Sequence, residues 1–304
     1  MRLHIEKIDT FAGHRDAIYA LEAAPEPGQF FSSGSDGLVI RWDLARPDLG
    51  ELVARIPASV YALKMDDQTG LLWVGQNFNG IHRIDPQSKI ERDSIQLTAS
   101  PIFDICLFEN LALVAQGDGT VTVLDRELFQ VRKHLKASNA SARSIDVNPL
   151  SQEFAVGYSD NTIKIFDLNT LSLKFIIAAH TQSVFTVRYS PDGRWLHSGG
   201  RDAHLKTWAV ADPYQLHQDV VAHLFAINHL TYSPNHQKII TASMDKTLKI
   251  WDAASLRLLK VLDWARFAGH RTSINRALWL PVEAGLISAS DDRLLSIWKV
   301  TEQP

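Results

Sequence analysis

Cysteine, methionine and long apolar runs are what this 304-residue chain has least of: one Cys and three Met. A single cysteine, Cys106, excludes an intramolecular disulfide and any zinc site built on several thiolates. It stands in the alternating stretch Ile102-Phe103-Asp104-Ile105-Cys106-Leu107 and is expected to be a buried, inert thiol. No segment approaches the ~18 consecutive apolar residues of a membrane helix. Met1-Arg2-Leu3-His4-Ile5-Glu6-Lys7 holds no apolar core of secretory length, so no export signal is expected, and a reducing cytoplasm fits. Neither sign of charge dominates: the net charge of −3 gives no electrostatic reason for direct nucleic-acid or anionic-membrane binding.

Signatures of chemistry are missing as well. There is no Gly-x-Ser-x-Gly, no phosphate-cradling glycine loop, no His-Glu-x-x-His and no calcium loop. The paired carboxylates Asp66-Asp67 open a turn, Asp-Asp-Gln-Thr-Gly, where polar caps are expected. The basic grouping Arg132-Lys133-His134 reads as a solvated turn. No cofactor or metal is expected.

What the chain does have is one template written four times. His14, Ser32, Asp36 and Trp42 recur as His180, Ser198, Asp202 and Trp208, as His223, Thr241, Asp245 and Trp251, and as His270, Ser288, Asp292 and Trp298. In every copy the hydroxyl residue stands four places before the Asp and the Trp six places after it. Between the first and second copies the template fades but its spacing persists. Tyr19, Tyr61, Phe103, Arg143, Phe185, Asn228 and Asn275 occupy equivalent places, 42, 42, 40, 42, 43 and 47 residues apart. That period belongs to four-stranded propeller blades, and it counts seven of them.

Turn signals such as Ser190-Pro191-Asp192-Gly193 and Ser233-Pro234-Asn235-His236 separate short apolar or alternating strands within each blade. The chain stops after three strands of its last blade, and Leu3 to Phe11 stands where an outer strand precedes Gly-His. The expectation is an all-β, seven-bladed propeller over residues 1–304 as a single domain, with 1–12 supplying the outer strand of the last blade. Blade two carries Phe78 and Ile84 in place of the Asp and Trp, blade three Leu124 in place of Trp, and blade four Ser138 and Phe166 in place of His and Trp.

These residues and their spacing resemble the WD-repeat family of seven-bladed propellers across essentially the whole chain. The resemblance implies that each His, Ser or Thr, Asp and Trp set is a structural hydrogen-bonded tetrad rather than a catalytic triad. Four copies at one spacing argue the same way. The Trp-Asp-x-Arg signature of ubiquitin-ligase docking is absent, since Trp42-Asp43 is followed by Leu44-Ala45 and Trp251-Asp252 by Ala253-Ala254.

The resemblance also implies that the residues five after the His and just before the turn Asp point to a partner-binding top face. Carried onto this chain, the partner-binding set is Tyr19, Tyr61, Phe103, Arg143, Phe185, Arg201, Asn228, Met244, Asn275 and Asp291, with Phe78 adding apolar surface. Longer spacing between blades six and seven implies an extra turn bearing Trp264 and Arg266, with Trp264 either an accessory contact or packed under its own loop. The function expected is a non-catalytic scaffold, monomeric, that binds a partner protein or peptide. The alternatives are an assembly factor in a ribonucleoprotein complex and, behind it, a propeller enzyme with a channel site.

Overall fold

Each of the seven repeats folds into its own four-stranded antiparallel sheet in a computed structural model that describes residues 2–47, 49–282 and 285–303. The sheets span 18–55, 60–96, 102–136, 142–178, 184–221 and 227–262, and the last joins 274–303 to Arg2–Ala12. They are called blades one to seven. The chain groups into two compact units: Met1–Gln76, His82–Ser94 and Asn228–Pro304 form one, Asn77–Ile81 and Ile95–Ile227 the other. The first unit holds blades one, six, seven and most of two; the second holds three, four and five.

In the first unit, Arg2–Ala12 pairs antiparallel with Leu294–Gln303, from Arg2 opposite Gln303 to Ala12 opposite Leu294. Its apolar residues enter two cores. Phe11 joins Phe30, Trp42, Ile287 and Ile297, with its ring 5.5 Å from that of Trp42. Ile5 joins Ile250, Leu262, Ile274 and Trp298. A third core packs blade one on blade two through Phe31, Val39, Val60 and Leu72.

The second unit shows why inner strands read as continuous apolar runs. Glu153–Tyr158 in blade four is buried at every residue, because neighbouring sheets cover both of its faces. The outer strand Gln130–Lys136, by contrast, is exposed at all positions but Leu135. Arg132-Lys133-His134 therefore lies within a strand and not in a turn, with Arg132 paired to Asp125. Its exposure was read correctly, but outer strands carry the polar composition that usually marks turns. Cys106 is part-buried against the core of blade three, less enclosed than its alternating pattern implies, because that blade face is only partly covered.

The tetrads form as hydrogen-bonded relays. In blades one, five and seven the Trp indole N–H donates to the Ser hydroxyl, the hydroxyl meets His Nε2, and His Nδ1 faces the Asp carboxylate, at 2.7 to 3.0 Å. In blade six Trp251 donates to Thr241 at 2.9 Å. The ionised Asp fixes the imidazole proton on Nδ1, so each group donates to the next. Burial opposes ionisation of Asp36, but the His14 ring and the N–H groups of Arg15 and Leu38 hold it below the usual carboxylate range. Ser32, Ser198 and Ser288 have no exposed surface, so their resemblance to triad serines ends at atom type.

Blades without the tetrad use other polar staples. In blade two the fully buried Trp73 donates to the equally buried Asp66 at 3.2 Å, and Asp66 also accepts the N–H groups of Gln68 and Thr69. In blade four Ser138 takes the place of His and donates to Asp160 at 2.6 Å. Buried Lys164 reaches the same carboxylate at 2.8 Å. Burial alone would raise the Asp160 pKa, but Lys164, Ser138 and Thr162 bring it down to about 2.

Two predictions follow from these contacts. Removing residues 1–12 strips a paired strand and two core residues from the last blade, and should lower the thermal midpoint by many degrees in a tryptophan-fluorescence melt. An unchanged midpoint would show that the strand contributes nothing to stability. His197 gives the second: burial lowers its pKa from 6.5 to about 4. The unfolded chain therefore binds a proton that the folded chain refuses between those values. Stability is full above pH 6.5 and falls as pH drops toward 4, by on the order of 3 kcal/mol at ~1.4 kcal/mol per pKa unit. Urea unfolding at stepped pH should show that slope, and His197→Gln should flatten it.

Candidate functional site

The innermost strands share one irregularity. Their ladders with the second strand break between Ile18 and Ala20, Val60 and Ala62, Ile102 and Asp104, Ala142 and Ser144, Val184 and Thr186, and Ile274 and Arg276. The residue passed over in each case is Tyr19, Tyr61, Phe103, Arg143, Phe185 or Asn275. A β-bulge leaves one residue out of the ladder and re-aims its side chain. Six of the seven positions singled out by spacing are thus ones whose side chains the backbone turns away from the regular pleat.

In the second unit three of these side chains stack. The Arg143 guanidinium lies 4.1 Å from the Phe103 ring centroid and 5.4 Å from that of Phe185. Its Nε donates to the Ser159 hydroxyl at 2.8 Å, and Ser159 is the residue just before the turn Asp of the same blade. Two rings and one hydroxyl hold the guanidinium plane in place. All three stacked side chains are half-buried, whereas Arg201 is exposed.

In the first unit the equivalent positions form a polar chain. Tyr19 and Tyr61 pack with ring centroids 4.6 Å apart. Burial pushes the Tyr19 phenol above its ordinary pKa, and nearby Tyr61 and Asp291 push the same way while the Ser35 hydroxyl pulls it down. The Asn275 amide donates to exposed Asp291 at 2.7 Å and to the Ile18 carbonyl at 3.0 Å. Asn228 donates to the Ser273 hydroxyl at 3.0 Å and the Ile274 carbonyl at 2.9 Å. Both asparagines thus spend their donors fastening one inner strand to the next.

Of the remaining expected contacts, Met244 is 52 % exposed and Phe78 is 61 % exposed. Trp264 stands on an extra turn, the short helix Trp264–Phe267, and is 47 % exposed. Sequence reasoning missed Leu224 and Phe225, 83 % and 59 % exposed. The signal was present: they follow His223, where the other tetrad blades carry Arg15-Asp16, Thr181-Gln182 and Arg271-Thr272. Among the described residues no group of three or more His, Cys, Asp or Glu is arranged to hold a metal ion.

The family model for the WD domain, G-beta repeat, matches residues 5–43, 129–167, 171–209, 215–252 and 263–299. The chain belongs to the WD-repeat family. The unmatched stretch covers blades two and three, where the tetrad has been replaced. The chain is 24% identical over 254 residues to actin-interacting protein 1 of Drosophila melanogaster, covering 79% of this chain and 40% of that protein. It is 22% identical over 279 residues to mouse striatin, covering 82% of this chain and 35% of striatin. It therefore spans less than half the length of these curated relatives. Among solved structures it resembles the WD40 β-propeller domain of Doa1, with a TM-score of 0.85, 19% identity and 97% of each chain covered. The fold class is the seven-bladed β-propeller of four-stranded blades.

The staple role of Asn275 can be measured. Asn275→Ala removes both donated bonds and leaves the Ile18 carbonyl short of a partner. It should cost about 1–2 kcal/mol of stability at ~1 kcal/mol per net hydrogen bond, read as a shift in the urea midpoint. A midpoint equal to wild type would mean that water replaces the amide without loss.

Proposed function

We propose that this WD-repeat protein is a non-catalytic binding platform that takes a protein or peptide on the top face of the propeller, acting as a cytoplasmic monomer. The observation that carries the reading is the Phe103–Arg143–Phe185 stack. A planar cation already fixed between two rings loses little freedom when a partner docks, so less of the contact energy is spent on ordering. Arginine and aromatic side chains dominate binding hot spots for the same reason. Exposed Arg201 enlarges that chemistry within the second unit; in the first unit the Tyr19–Tyr61 pair, exposed Met244 and exposed Asp291 offer aromatic, apolar and acidic groups. Such a surface suits a segment with an apolar or aromatic anchor and an acidic group.

The names of the relatives agree with an interaction role: one is called an actin-interacting protein. Nothing among the described residues favours the ribonucleoprotein reading over the plain protein platform. Tyr61→Ala, Phe103→Ala and Phe185→Ala combined should abolish partner capture while circular dichroism stays that of a folded β protein. A central anchor of this kind contributes ~2 kcal/mol or more of binding. Quantitative affinity capture against wild type reads the result, and identical partner sets would overturn the assignment of this face.

A further inference from the structure

The turn between blades six and seven holds more than an extra tryptophan. Asp263 caps the helix Trp264–Phe267 by accepting the Arg266 N–H at 2.8 Å. The same carboxylate takes the Arg266 side chain through Nε at 2.9 Å and Nη2 at 2.6 Å. Below it the Lys7 ammonium donates to the Ala268 carbonyl at 2.7 Å, and Ala268 closes the helix in the left-handed region. Only four residues long, the helix is fastened at both ends, although all of its side chains but Phe267 are exposed.

Two cations lie on its aromatic rings. The Arg271 guanidinium sits 3.8 Å from the Trp264 ring centroid, and the Lys260 ammonium 5.5 Å from that of Phe267. Arg271 directly follows the tetrad residue His270, and its backbone N–H donates to Asp292 at 3.2 Å, so its base is anchored in the blade. Among the described residues neither Arg271 nor Lys260 has a carboxylate partner. The nearby acids are taken: Asp263 by Arg266, and Asp292 by His270 at 2.9 Å. An exposed indole held against an unneutralised guanidinium has the composition of a binding anchor. Its charge calls for an acid and its ring for an apolar side chain.

We propose that this turn is a second docking site, separate from the top-face stack, for a partner segment carrying acidic residues beside an apolar one. The carboxylates meet Arg271 and Lys260, and the apolar side chain covers Trp264. Cation–π pairs strengthen when water is excluded, so a partner that caps the stack gains from it as well as from its own charge.

Fluorescence anisotropy with the full chain tests this, using a fluorescein-labelled peptide of alternating Glu and Leu and its Lys-for-Glu counterpart. The acidic probe should bind, more weakly as salt rises, and the basic probe should not. Arg271→Glu and Trp264→Ala should each weaken the acidic probe by about tenfold or more, whereas Arg143→Ala should leave it unchanged. In a nitrogen-15 spectrum, the indole N–H signal that disappears in Trp264→Phe should be one that shifts on titration, a readout independent of any loss of folding. Equal binding by wild type and Arg271→Glu overturns the proposal. So does binding lost in Arg143→Ala alone, which would move the probe to the top-face stack. Capture of phosphatidylserine vesicles by a protein that ignores the acidic peptide also overturns it, in favour of a membrane surface.

Discussion

One backbone constraint underlies the candidate surface: the bulge that opens the inner strands of blades one to five and seven. An antiparallel ladder left regular would turn these side chains into the sheet-to-sheet cores, alternating with their neighbours. Skipping one residue frees a single side chain in each of these six blades while Ile18, Val60, Ile102, Ala142, Val184 and Ile274 beside it stay buried. The freed positions then vary without disturbing the core. In this chain they carry phenols, a phenylalanine–arginine stack and amides. The relays of Trp, hydroxyl, His and Asp serve that constraint from behind, since they tie the loop leading into the bulge to the next strands of the sheet.

The degenerate blades show which parts of the template are replaceable. What persists is a carboxylate or amide that collects backbone and side-chain donors at a strand end; what changes is which donors it collects. Asp160 exchanges an imidazole for a hydroxyl and an ammonium. Blade two instead bonds an indole directly to a carboxylate, Trp73 to Asp66. Asn77, just before the lost turn Asp, accepts the Ile102 N–H at 2.9 Å. Blade three links buried Gln116 and Thr122 to exposed His134. Buried polar groups must be paired, but the pairing tolerates several chemistries, and this accounts for a family model that passes over a stretch the fold does not.

Much of this was legible in the sequence because it depends on spacing. Tetrads and the positions equivalent to Tyr19 recur at near-constant intervals, so counting residues located both, whereas the bulge that frees those positions carries no mark in the sequence. Spacing carries no information on how a freed side chain is used. Asn228 and Asn275 fell at the right places but donate to neighbouring strands, and that depends on carbonyls and hydroxyls distant in sequence. Exposure of Leu224 and Phe225 was hidden by the opposite problem: apolar residues beside an inner strand look like its core. The turn at Trp264 was visible as added length, but its clamp by Lys7, 261 residues away, was not.

That long reach is general in the last blade. Ala12 lies opposite Leu294 and Arg2 opposite Gln303, so this strand is made long before its partner. During synthesis Phe11 and Ile5 wait with their apolar faces uncovered while every other sheet can form from strands close in sequence. Such distant pairing is slow, because the chain entropy of closure is lost before any contact repays it. Until Leu294–Gln303 emerges, Arg2–Ala12 is therefore open to holding factors, or to pairing with a second nascent chain.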